Sequence, residues 1–291
     1  MATETSYCLT TMDNVKNYLG LSASSTTHNE SITRLVRAAT DAIETYCGRK
    51  FKRRVYQMER QNGINDQELP LNNWPIISIE KIAVDTETAM MVRCTDGGAY
   101  AATVSVIRNG DPAANTALRI SLKGGANESD ATLLYSSNTT ISDLVASVNG
   151  VTGWSASVQG SLGHYDPVEL IPIGGQECLS TDYYLETPYL QLNDYNIDHE
   201  TGVLYRPGGW NEGFNNIYID YTAGYEIVPY DLEQVAIRAV VEAFNSKNIN
   251  PNLKSEKIGD YSYTNFEAST INKAINICEA ELDKWRRIEY A

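Results

Sequence analysis

Apolar and polar residues alternate along this chain with two different periods, and the switch between them outlines its elements. The stretch "TTMDNVKNYLG" predicts a short helix, with Thr10 placed to cap it, Asp13 three residues on in a capping-box arrangement, and Gly20 to close it. In "SITRLVRAATDAIETYCG", Ile32, Leu35, Val36, Ala39, Ile43 and Tyr46 fall on one helical face, and Gly48 stands where a left-handed C-terminal cap belongs. After Gly48 the period shortens. "KFKRRVYQMER" alternates as a strand does, and "LPLNNWPIISIEKIAV" is a second extended region punctuated by Pro70 and Pro75. From residue 85 to about 185 the apolar runs are short and Gly, Ser, Thr and Asn dominate. "YAATVSVI", "ALRISL", "ATLLYS", "WSASVQG" and "VELIPI" read as strands, and "TTISDLVASVNG" as one helix capped by Thr140 with Asp143. Further on, "GVLYR" and "NIYIDYTAG" are paired-strand candidates. Asp231, with Gln234, is placed to cap a helix whose apolar face holds Val235, Ala236, Ala239, Val240, Ala243 and Phe244. A polar loop follows, and a last helix is predicted from Ser269 or Thr270 to about Ile288.

These elements predict an α+β fold. A helical bundle core with a β-hairpin or small sheet takes residues 1–84 and 186–291, and an inserted β-rich accessory domain takes 85–185. Charge follows the same division: residues 1–84 hold 10 basic and 9 acidic side chains, whereas 85–190 hold 4 and 12. The whole chain is acidic, at -14, which speaks against a DNA binder working through its entire surface. Yet Arg49, Lys50, Lys52, Arg53 and Arg54 crowd into "RKFKRR". Two readings compete there, a nucleic-acid patch and a helix end running into a strand. Arg49 and Lys50 would follow the negative pole of a helix. Lys52 opposes Phe51 on an alternating strand, and Arg53 and Arg54 cannot share a face. The run therefore splits over two surfaces, which favours protein contact over a phosphate clamp.

Candidate chemistry is sparse. Cys8, Cys47, Cys94, Cys178 and Cys278 are scattered with no CxxC, which predicts reduced thiols in a cytoplasm and neither disulfides nor a zinc site. The opening "MATETSYCLT" lacks the basic and apolar regions of a secretory signal, and no apolar run is long enough for a membrane span. His28, His164 and His199 are far apart, and no nucleophile-elbow, zinc-protease or phosphate-loop motif occurs. "DYNIDHETG" alternates carboxylates as a calcium loop does, but His199 replaces the turn glycine and Tyr205 the bidentate glutamate, so a polar turn into "GVLYR" is the better reading. Tyrosine occurs 19 times against 4 phenylalanines, a surplus that suits interfaces.

Four stretches carry a family resemblance: "LTTMDNVKNYLGL" with "ITRLVRAATDAIETYCGRKF", "LPLNNWPIISIEKIAV", "TGVLYRPGGW" through "NIYIDYTAGYEIVPYDLEQVAIRAVVEAFN", and "LKSEKIGDYSYT". In this order they resemble the head–tail connector (adaptor) proteins of tailed double-stranded DNA bacteriophages. Residues 85–185 depart from it, since a minimal connector lacks them. The resemblance implies a structural protein and no enzyme, with no cofactor. It implies a ring, usually of twelve copies, that docks on the portal protein after DNA packaging, extends the DNA channel and receives a downstream neck, stopper or tail protein. Its place would be the virion neck, after assembly in the host cytoplasm, and DNA would pass without sequence-specific binding. The Arg–aromatic mixture Trp285, Arg286, Arg287, Ile288 and Tyr290 is the expected portal-binding segment. Lys254, Glu256, Lys257, Asp260, Tyr261 and Tyr263 form a loop facing either a neighbouring subunit or the lumen. Two other readings remain open from the residues: a monomeric carbohydrate- or peptide-binding module using the β-rich insert, and a metal-dependent hydrolase for which "DYNIDHE" is the only hook.

Overall fold

The computed structural model describes residues 7–246, 255–258, 261–264 and 278–287. In chain order the elements are α1 (Met12–Tyr18), α2 (Asn29–Cys47), β1 (Arg54–Gly63), β2 (Glu68–Pro70), β3 (Ile76–Cys94), β4 (Ala99–Asn109), β5 (Ala114–Gly124), β6 (Ser129–Leu134), α3 (Ile141–Asn149), β7 (Trp154–Val158), β8 (Gln176–Glu177), β9 (Tyr183–Gln191), β10 (Asn196–Asp198), β11 (Val203–Tyr205), β12 (Gly213–Ala223), α4 (Tyr230–Ser246), β13 (Ser255–Ile258), β14 (Tyr261–Thr264) and α5 (Glu279–Leu282). The fold is α+β, but strand outweighs helix among the described residues, so a helical bundle is not its dominant element.

The chain forms two compact units, Met1–Arg53 with Asn72–Pro75 and Ala223–Ala291, and Arg54–Leu71 with Ile76–Thr222. These limits differ from the expected 84/85 and 185/186. Position 84/85 lies inside the single strand β3, and 185/186 inside β9.

In the first unit α1, α2 and α4 pack on one another. The helical stripe read from the sequence is the reason. Ile32, Val36 and Ala39 of α2 meet Ile237, Ala239 and Val240 of α4 and Val15 of α1. A second cluster joins Leu9, Ile43, Cys47 and Phe51 to Leu232, Val235, Ala236 and Leu282. Gly48 ends α2 at φ 66°, ψ 21°, in the left-handed region where a side chain is strained. One expected cap moves by one residue, and another lies inside its helix. Thr11, not Thr10, caps α1, its hydroxyl accepting the Asn14 N–H at 3.2 Å. Thr10 is buried and donates to Glu233 Oε1 at 3.2 Å. Asp231 lies within α4, whose first residue is Tyr230, and its carboxylate accepts the Leu232 N–H at 3.0 Å.

The second unit is built on antiparallel sheets. β1-β12-β3-β7 form one, with β9 also on β3. β6-β5-β4-β8 form another, and β10-β11-β2 a third. Its core gathers Met90 and Val92 of β3, Val104 of β4, Leu118 and Ile120 of β5, and Leu144 and Val148 of α3. α3 carries the full capping box, Thr140 and Asp143 serving each other's backbone N–H. "GVLYR" and "NIYIDYTAG" do not pair together: β11 lies between β10 and β2, and β12 between β1 and β3. "VELIPI" is no strand. Asp166 caps a short 3-10 turn at Pro167–Glu169, and Leu170 is buried beyond it. Pro172 has no N–H with which to continue a ladder, so pairing with β9 stops at the Ile171 N–H, donated to the Glu186 carbonyl at 2.8 Å.

Candidate functional site

The basic segment is mostly consumed by the chain itself. Arg49 is buried, with its guanidinium 3.8 Å from the Trp74 ring centroid and 4.8 Å from that of Phe51, and it donates to the Trp74 carbonyl. Lys50 pairs with buried Glu44 at 2.9 Å, and Glu44 also accepts the Phe51 N–H at 3.2 Å. Lys52 donates to the Glu226 carbonyl at 3.1 Å, while Arg53 meets the Glu226 carboxylate at 3.0 Å with both side chains exposed. Arg54 is buried and pairs with Asp111 at 2.7 Å. The strand starts only at Arg54; before it, one bridge ties Lys52 to Tyr225. Two of the five cations thus point inward, and such guanidiniums present no face to a phosphate. Sequence reasoning missed Trp74 and Asp111 as partners of Arg49 and Arg54, and Glu44 as the partner of Lys50. A tryptophan between asparagines and a proline, in "NNWP", is the signal that was available.

The C-terminal segment folds back on its own unit. After α5 a 3-10 turn, Asp283–Trp285, sets the Trp285 ring edge-on to Phe51 and to Tyr225, each at 6.1 Å. The Arg287 N–H donates to the Cys47 carbonyl at 2.8 Å, satisfying one of the open carbonyls that end α2. The Tyr46 hydroxyl donates to Asp283 at 2.9 Å, and Arg286 lies over the Tyr46 ring at 5.4 Å. Lys284 pairs with Asp231, and Arg238 with Glu281. Of the expected portal-binding residues, Trp285 therefore serves the apolar cluster, Arg286 and Arg287 are exposed, and Ile288 and Tyr290 lie outside the described residues. In the expected lumen or subunit loop, Glu256 and Lys257 are on β13, and Tyr261 and Tyr263 on β14. These two strands pair antiparallel with Glu256 opposite Tyr263. Lys254 and Asp260 lie outside the described residues, as does most of the predicted last helix.

Chemistry beyond this is structural. The Thr201 side-chain hydrogen bond, with the Glu200 and Thr201 N–H groups that Asp198 accepts at 3.0 and 3.4 Å, holds the Asp198 carboxyl below the usual range. "DYNIDHETG" is thereby the turn of the β10–β11 hairpin, with Gly202 at φ 73°. Among the described residues no three His, Cys, Asp or Glu side chains gather as a metal site. No described helix is long and apolar enough to cross a membrane. The five cysteines are free thiols, and burial pushes Cys47 up to about 11 and Cys178 up to about 12.

No curated protein matches the chain. Two solved structures are similar over 97% of this chain and 92% of theirs: the neck of an empty gene transfer agent (GTA) particle computed with C6 symmetry, at 9% identity and TM-score 0.37, and the virion of the native gene transfer agent particle, at 12% identity and TM-score 0.31. Residues 8–123, which run from α1 into β5, match a family described as head completion protein, a structural family and not one of enzymes.

Proposed function

We propose that the chain is a structural component of the neck of a tailed phage or phage-like particle. Copies of it form a ring on the portal once DNA is packaged, extend the channel and offer a seat to the next neck or tail protein. The observation that carries this reading is the match of residues 8–123 to a head completion family. The ordered signatures "AATDAIETYCGR", "YTAGYEIVPYDL" and "SEKIGDYS", and the tyrosine-rich composition of the chain, support it. Acidity suits a channel, because each lysine or arginine on a phosphate would hold the DNA that must slide past. The portal contact belongs to the exposed Arg286 and Arg287 and the residues after them, since Trp285 is occupied at home.

Light scattering after size-exclusion of the chain mixed with its portal protein tests the reading. The expected result is a complex whose mass requires several copies of this chain per portal ring. A chain that elutes apart from the portal at every ratio would sink it.

A further inference from the structure

The second unit presents an apolar tip on an unusually fastened base. Where β1 ends and β12 begins, Asn62 Oδ1 accepts the Asn215 N–H at 2.7 Å, and Asn216 Oδ1 accepts the Gly63 N–H at 2.9 Å. The Asn216 amide also donates to the Asn211 carbonyl at 2.9 Å. The backbones approach so closely that a Cβ on Gly63 would stand 1.7 Å from the Asn211 oxygen. From this clamp Phe214 is 85% and Ile64 60% exposed. Glu212 beside them is exposed and has no partner among the described residues. A base held this firmly keeps two large apolar side chains in water, which is the arrangement of a preorganised anchor.

The same unit holds a cavity of about 460 Å3 with the opposite character. Its apolar walls include Tyr56, Met58 and Pro112, Arg60 and Arg108 stand in it, and Glu59 also lines it, its carboxylate accepting from the Tyr221 hydroxyl at 2.8 Å and the Gln61 amide at 2.9 Å. Arg108 donates to the Gln57 and Ala113 carbonyls at 2.7 and 2.6 Å, while its buried Nε has no partner. Arg60 forms no hydrogen bond or ion pair among the described residues. Burial and the nearby charge of Arg60 hold Arg108 below the usual arginine value against the opposing charge of Asp220, and neither guanidinium is hydrogen-bonded to a carboxylate among the described residues.

We propose that this cavity receives the tip of a second copy of the chain, Phe214 filling the apolar walls and Glu212 reaching Arg60 and Arg108. Charge complementarity selects the occupant: the tip brings an aromatic ring with a free carboxylate, and the cavity offers apolar walls with two cations lacking one. Asn215 both fastens the tip and lines the cavity, so the two adjoin. Where each copy gives its tip to the next rather than exchanging tips in a pair, the contact is heterologous and closes a ring or runs on as a filament. The inference rests on the ring reading and names one of its interfaces.

Sedimentation equilibrium of the full chain over a concentration series, with circular dichroism to show each variant folded, tests it. Phe214→Asp and Arg60→Glu are each expected to weaken self-association about tenfold or more, and Arg60→Glu combined with Glu212→Lys to restore most of it. Self-association unchanged in all three variants overturns the interface and leaves a ring built on other surfaces standing. A chain monomeric at every concentration also overturns it, while the neck reading keeps its own test with the portal protein. Loss in the single variants without restoration in the pair overturns the pairing of Glu212 with Arg60.

Discussion

Arg49 and Arg53 are four residues apart in one basic run and do unrelated work. Arg49 combines a stack on Trp74 with a charged hydrogen bond in a buried place, so Arg49→Ala should cost about 2–4 kcal/mol, seen as a lower unfolding midpoint in urea. Arg53→Ala removes only an exposed pair and should change stability by less than about 1 kcal/mol. Equal effects would contradict a structural role for buried Arg49. The thiols give a pH signature. Cys47 and Cys178 are raised to about 11 and about 12 by burial, so the folded state keeps protons that the unfolded chain releases near pH ~8.5. Their contribution is complete below that pH and is lost as pH climbs through about 11 and about 12. Unfolding temperature should fall between about pH 9 and 11, and less steeply in a Cys47→Ala, Cys178→Ala variant. A slope unchanged by the double substitution would contradict this. Residues obeying local rules were legible: Gly48 and the Thr140–Asp143 box stand where short-range stereochemistry requires. Thr10 and Thr11 are equivalent to any local rule, and only Glu233, 223 positions away, decides that Thr10 turns inward.

Helices with a periodic apolar face were legible too, because the face that the sequence repeats is the face the core buries. Strand partners were not. β12 alternates clearly, but its neighbours β1 and β3 lie far off in the chain, and nothing short-range selects them over β11. Composition and strand boundaries also follow different rules. The change to Gly, Ser and Thr after residue 84 is real, yet β3 runs unbroken through it because its buried positions, Val84, Ala89, Met90 and Val92, continue. At the C-terminal segment, one side chain carries stability and its exposed neighbours are left for docking. Trp285 fills the space between Phe51 and Tyr225, so Trp285→Ala should destabilise by about 2–3 kcal/mol. Removing residues 285–291 would then test folding before docking. Arg286→Glu with Arg287→Glu should keep stability within about 1 kcal/mol and abolish portal binding. Portal binding that survives the charge reversal would move the contact elsewhere.

At the scale of the molecule, the proposed function rests on the ordered signatures of residues 9–84 and 195–265, and the family matched over 8–123 overlaps the first of these blocks. Composition and charge add direction. A chain at -14 with a dispersed, internally occupied basic run fits a wall along which DNA passes better than a surface that grips it. Imaging the intact particle that carries this chain, at a resolution that traces its backbone, measures the central claim most directly. The account predicts a closed ring of copies at the portal vertex, coaxial with the DNA channel, with a neutral to acidic inner wall. Single copies away from that axis, or a ring whose lumen is lined by lysine and arginine, would contradict it.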